Sequence, residues 1–370
     1  MSDHLPCILG LGTATPRADT SQEEALALAL KLSPAETEDA RRQIELIYRR
    51  SGVERRATTA SLSVQESGEC GFSPASLRQP LGPGTAARMA IYRLRAMPLA
   101  VESSRLALLD CAMEPSSITH LVTASCTGFA APGWDVEVVD ALGLPRNILR
   151  TNVGFMGCHG AINAIRVARA FAAADPAARV LVCCTEICSV HFRYKPRPDQ
   201  AVANALFADG SAAVVVGQPR GKPGRGGLVL RDTASCILPD SQDQMGWSVG
   251  DHGFEMSLGI ELPATIRRSA GLWLREWLGA NKLEIGSIRR WAVHPGGPKI
   301  LSAVAEALEL RGSELEASKG VLARHGNMSS PTVLFILDEL QKRNTPGGPG
   351  VLLSFGPGIA AEAILFEAPD

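Results

Sequence analysis

The segment Val180-Leu181-Val182-Cys183-Cys184 is apolar without interruption and reads as a strand buried in a core. It follows an alanine-rich stretch, 161–174, with apolar residues at 162, 165, 167 and 171, which is helical spacing. The same alternation runs through much of the chain. Strands are predicted at 121–125, 151–155, 178–185 and 212–217, with a helix at 134–142. In the second part a helix is predicted at 262–278 and a strand at 290–294. Helices at 297–309 and 329–342 and strands at 350–355 and 361–366 complete the pattern. Alternating elements of this kind give an α/β fold class.

At 370 residues the chain is long enough for two packed units. The stretch from Gly217 to Gly227 is rich in Gly, Pro and basic residues and holds neither a helix nor a central strand. It divides the chain into halves 1–221 and 222–370. Its Gly221-Lys222 pair lacks the following Ser or Thr of a phosphate loop. A second loose region, about 57–85, reads as a surface excursion, and no internal sequence repeat is visible.

With 37 basic and 38 acidic residues the net charge is -1, which gives no footprint for nucleic acid and no polybasic membrane patch. No secretory signal opens the sequence, and no apolar run reaches the length of a membrane span. The nine cysteines are odd in number and lack a Cys-x-x-Cys pair. They read as free thiols in a reducing compartment, the cytoplasm, with no disulfide framework and no metal site.

Four segments carry candidate chemistry. Gly157-Cys158-His159-Gly160 places a cysteine on a glycine turn between a strand and a helix, where N–H groups at a helix start favour thiolate. A lone cysteine is ordinarily a buried structural residue; the turn is what lifts this one. His294, followed by Pro295-Gly296-Gly297-Pro298, ends a strand at a sheet edge, where α/β proteins keep their chemistry. Asn327, in Gly326-Asn327-Met328-Ser329-Ser330, is by itself an ordinary helix cap. Gly356-Pro357-Gly358 is by itself a turn between two strands. A cysteine peptidase also orders Cys, His and Asn, but its local signature is missing here.

Together these motifs, with Ala205-Leu206-Phe207-Ala208-Asp209-Gly210 and Cys126-Thr127-Gly128-Phe129-Ala130-Ala131-Pro132-Gly133, resemble the type III polyketide synthases, the chalcone-synthase-like branch of the condensing enzymes. The resemblance spans about residues 8–366. It implies a thiolase-like fold of two pseudo-duplicated αβαβα halves and a homodimer with Ala131 near the partner's cavity. It also implies iterative decarboxylative condensation of acyl-CoA with malonyl-CoA, without acyl carrier protein, metal or redox cofactor.

In that reading Cys158 is the nucleophile, a thiolate beside a His294 imidazolium. His294 and Asn327 donate to the thioester oxygen, and Phe207 and Phe254 stand between CoA tunnel and cavity. Thr127, Ala131, Cys188, His191, Met245 and Ser329, with Gly356, Pro357 and Gly358, shape the substrate site. Arg50 alone matches the family's CoA-binding cations.

Small residues at 127, 131 and 188 resemble the bacterial branch that takes fatty acyl-CoA, giving alkylpyrones or alkylresorcinols. The second reading is a malonyl-only synthase of a tetrahydroxynaphthalene-type aromatic, because Cys126 also occurs there. The third is a single-step ketoacyl synthase of fatty-acid initiation. A non-catalytic binding protein is the alternative of another class, and it would be expected to lack one of Cys158, His294 and Asn327.

Overall fold

The computed structural model describes residues 5–32, 34–59, 80–219, 227–343 and 345–369. Most of the loose region expected at 57–85, and the centre of the Gly217–Gly227 link, lie outside the described residues.

The chain opens with β1 (Cys7–Ala14), β2 (Asp19–Ser21), α1 (Gln22–Leu32), α2 (Glu38–Arg49) and β3 (Arg55–Ala57). Then come α3 (Thr85–Asp110), β4 (His120–Ser125), α4 (Trp134–Leu142) and β5 (Leu149–Gly154). The first half closes with α5 (Gly160–Ala174), β6 (Arg179–Ile187), α6 (Pro198–Leu206) and β7 (Asp209–Gly217). The second half holds β8 (Leu228–Ile237), the hairpin β9 (Met245–Gly250) and β10 (Gly253–Leu258), α7 (Leu262–Ala280) and β11 (Arg290–Val293). It ends with α8 (Pro298–Leu308), α9 (Glu316–His325), α10 (Thr332–Lys342), β12 (Gly348–Gly356) and β13 (Ala360–Ala368).

Nine strands form one sheet in the order β11-β12-β13-β8-β1-β7-β6-β4-β5. Its seam is the pairing of Cys7 and Ile8 with Val229 and Leu228, antiparallel. On either side of that seam the first half reads β1-β7-β6-β4-β5 and the second β8-β13-β12-β11. The two series have the same connectivity, the second lacking the outermost strand.

Three apolar clusters give the layers. One packs α3 and α4 on the first half's strands, and one packs α7 and α8 on the second's. The third holds α5 and α10 between strands of both halves. Each half thus supplies one arm of the continuous sheet, an outer helix pair and one helix of a shared middle layer, giving αβαβα overall.

The duplication also leaves a trace in the sequence that the linear reading did not detect. Leu278–Ile288 repeats Leu108–Ile118 as a corner before the first parallel strand of each half, with Leu, Glu, Ser and Ile in matching places. Met113 and Leu283 each donate N–H to the Leu108 or Leu278 carbonyl at 2.9 Å, and Ser117 and Ser287 each donate to the Glu114 or Glu284 carbonyl at 3.0 Å. Ala112 and Lys282 both take positive φ. Four shared identities in a short corner are too few to stand out until the backbone aligns them.

Candidate active site

The Cys158 turn is built by close packing. Gly157 has φ +75°, and a Cβ there would lie 2.5 Å from Pro357 Cδ, so the wall formed by Pro357 needs glycine opposite it. The Cys158 carbonyl accepts from Ser354 Oγ at 3.0 Å, which ties the turn to β12 of the other half. Asn327 is held from both sides of its backbone, donating to the Leu206 carbonyl at 2.8 Å and accepting from Ala208 N–H at 2.9 Å. Its Oδ1 accepts from Ser329 N–H at 2.8 Å, which leaves the amide NH2 for the cavity. The side chain's acceptor is spent within its own turn, and the side chain also hydrogen-bonds Cys158, opposing the burial that raises that thiol. His294 follows β11, with its backbone N–H on the Leu353 carbonyl at 2.8 Å.

Cys158, His294 and Asn327 line one cavity of about 730 Å³. Both ring nitrogens of His294 are buried without a hydrogen-bond partner among the described residues. Buried polar atoms are nearly always paired, so an orphaned imidazole facing a cavity is a group kept for a ligand. Burial pushes the Cys158 thiol up to about 12, with the Ser329 hydroxyl pulling the other way. Burial, and then the proximity of His159, pushes His294 down to about 3. Burial therefore works against the charged form of both groups, and the thiolate–imidazolium pair implied by the resemblance has to form against that desolvation.

Beyond Cys158 lies an inner chamber of about 20 Å³, room for a single water, lined by Cys126, Thr127, Cys188, Phe207, Met245, Trp247, Ser329 and Pro357 among others. Ser329 Oγ stands 3.2 Å from Cys126 Sγ and 3.6 Å from Cys158 Sγ. Cys188, Phe207, Trp247 and Met256 also line an apolar slot of about 90 Å³ that runs among α1, α2 and α6.

Several expected residues take other places. Ala131 is exposed in this chain and lines none of these three cavities. Thr127 spends its hydroxyl on Glu186 at 2.7 Å and on Ile187 N–H at 2.9 Å. His191 is a strut: its Nε2 donates to the Thr127 carbonyl at 2.7 Å, its Nδ1 accepts from Phe254 N–H at 2.9 Å, and its ring stacks on Phe254 at 4.2 Å. Burial holds it neutral, down to about 3. Phe207 borders all three cavities, whereas Phe254 borders only the slot; Trp247 stands between them, 6.5 Å from one and 5.9 Å from the other. Gly356 and Gly358 shape the wall without lining a cavity, and Pro357 lines the inner chamber.

The sequence reading missed other residues that matter here. Glu186, fully buried on β6, accepts from Ser125 Oγ, from the N–H groups of Cys126 and Thr127, from Thr127 Oγ1 and from Ser330 Oγ at 2.6–3.1 Å. It pins the inner chamber to the corner that carries Asn327. Arg50 lines the large cavity, together with Arg197 and Lys299. Arg197 and Lys299 come from segments far apart in sequence, so no linear pattern groups them with Arg50.

Family models for "Chalcone and stilbene synthases" match this chain, the N-terminal domain over residues 2–219 and the C-terminal domain over 229–368. The "Alpha-pyrone synthesis polyketide synthase-like" protein of Mycobacterium tuberculosis is 34% identical over 369 residues, covering 97% of this chain and 90% of that protein. "Type III polyketide synthase C" of Arabidopsis thaliana is 31% identical, covering 97% of this chain and 94% of its own length. Among solved structures, PKS-I from the brown alga Ectocarpus siliculosus superposes with a TM-score of 0.93 at 30% identity, covering 100% of this chain and 99% of that one. With its duplicated sheet and a cysteine, histidine and asparagine on one cavity, the chain belongs to the chalcone and stilbene synthase family, the type III polyketide synthases, acyltransferases that condense CoA thioesters.

Proposed function

We propose that the protein loads a fatty acyl group from CoA onto Cys158, extends it with malonyl-CoA and releases an alkylpyrone or alkylresorcinol. The observation that carries this reading is the apolar slot. It shares Cys188, Phe207, Trp247 and Met256 with the inner chamber, and Ala25, Leu28, Ala29 and Leu32 of α1 wall it. An alkyl chain on Cys158 gains about 0.8 kcal/mol for each CH2 it buries there. A malonyl-only synthase has no use for that slot. The alpha-pyrone name of the mycobacterial relative supports the same choice.

The residues divide the work as follows. Cys158 attacks the acyl carbonyl as its proton passes to His294, which returns it to the departing CoA thiolate. His294 and the Asn327 amide then donate to the thioester oxygen of malonyl-CoA while the carboxylate leaves as CO2. The enolate attacks the acyl group and the Cys158 thiolate departs. Fixed donors in a dry site are worth about 2.7–4 kcal/mol each for such a charge. Arg50, Arg197 and Lys299 meet the CoA phosphates at the rim. Two copies form the working unit, and free thiols suit the cytoplasm.

Mass spectrometry of products from C2 to C18 acyl-CoAs with malonyl-CoA tests the reading. Long starters are expected to give extended products on wild type. Cys188→Phe is expected to cost long chains at least tenfold while sparing acetyl-CoA. Equal loss for short and long starters, or products from malonyl-CoA alone, would move the aromatic-product reading ahead.

A further inference from the structure

Directly behind the nucleophile sits a second imidazole that the condensation chemistry does not use. His159 is buried, and its ring edge lies against Gly356 so closely that any Cβ there would overlap Cδ2 and Nε2. Its Nδ1 accepts from Asn163 Nδ2 at 2.8 Å. The orientation of that amide is fixed, because Asn163 Oδ1 accepts from Arg166 at 3.0 Å. Arg166 in turn pairs with Glu362 on β13, whose other oxygen accepts from Ser235 Oγ at 2.9 Å. A donor on Nδ1 leaves the ring proton on Nε2, so the chain Glu362–Arg166–Asn163 dictates one neutral tautomer.

We propose that His159 is a positioning residue: a neutral imidazole that sets the Cys158 turn against Gly356 and, by staying uncharged, lets His294 accept the Cys158 proton. The inference rests on Cys158 and His294 as the reacting pair. A cation at 159 opposes one at 294, since like charges in a dry site disfavour each other. The charged and titratable groups facing His159 are Arg166 from α5, Glu362 from β13 and His294 beyond β11. Burial and Arg166 hold His159 below its ordinary value, and Glu362 works against them. The amide at 163 is what a switch to imidazolium would have to break, because an imidazolium Nδ1 carries a proton and accepts nothing.

Asn163→Asp tests this. A carboxylate at 163 cannot donate to Nδ1 and instead favours imidazolium. Starter loading onto Cys158, followed by intact mass with dodecanoyl-CoA between pH 5.5 and 9, is expected to slow roughly tenfold at pH 7 and to recover as the pH rises, its acid limb displaced upward by about one unit. His159→Asn keeps an acceptor for Asn163 and removes the titrating ring, so its acid limb is expected below that of wild type. Adding His159→Asn to Asn163→Asp is expected to cancel the upward displacement. Coincident acid limbs in all four proteins would overturn the proposal, as would an Asn163→Asp loss equal at every pH. A failure of the reacting pair itself is distinguishable: acyl label still arriving in Cys158→Ala would discard the nucleophile whatever the pH profiles do.

Discussion

Burial of the His294 imidazole has a thermodynamic signature. His294 folds with its pKa pushed down to about 3, while the unfolded chain protonates near 6.5. Between those values the unfolded state binds the extra proton, so this residue makes stability fall as pH is lowered through that window. The slope is about 1.4 kcal/mol per pH unit for one proton. Urea unfolding of wild type and His294→Gln at pH 7, 6 and 5 is expected to show the variant losing stability less steeply by roughly that amount; parallel slopes would mean that His294 is charged in the fold. Cys158, His294 and Asn327 were legible because each sits beside turn residues that punctuate a strand or helix. Glu186 was not, since its five donors come from segments about 60 and 144 residues away. The hydrogen-bond partners of Thr127 and His191 were hidden for the same reason: small size and a ring were visible, the bonds that hold them beside the cavities were not.

Among elements, α4 and the start of α7 fall where periodicity places them, since each buries one face on a sheet. The 26-residue α3 escaped the reading because its apolar residues face β1, β7 and β6 on one side and α4 on another, which blurs a single stripe. The β9–β10 hairpin carried a period-2 signal that was passed over: Met245, Trp247 and Val249, then Phe254, Met256 and Leu258, alternate with Gly, Ser and Glu. The end of α6 depends on Arg56, a buried guanidinium donating to the carbonyls of Asn204, Ala205 and Phe207 at 2.6–2.9 Å. Those carbonyls close the helix that carries Phe207 toward the cavities. Arg56→Met strands them in a buried site and is expected to cost about 3 kcal/mol, read as a lower urea midpoint at unchanged slope. A loss under 1 kcal/mol would show that water replaces the clamp.

At the scale of the whole molecule, one face stays apolar in the single chain. Phe129, 61% exposed, Phe155 and Val249, 53% exposed, surround a hollow of about 450 Å³ close in sequence to exposed Ala131. A homodimer that buried this face would depend on it, so Val249→Arg is expected to halve the mass seen by light scattering; an unchanged dimer would place the interface elsewhere. Within one chain the shared middle layer has its own consequence. Cys158 leads into α5 from one half, and Asn327 precedes α10 from the other. A nascent chain still short of residue 290 carries the nucleophile but neither His294 nor Asn327. Such a truncated product lacks the imidazole and the donors an enolate needs. Ribosomal stalling or early termination therefore yields fragments that cannot condense malonyl-CoA, and that reaction becomes possible only once Asn327 has been made.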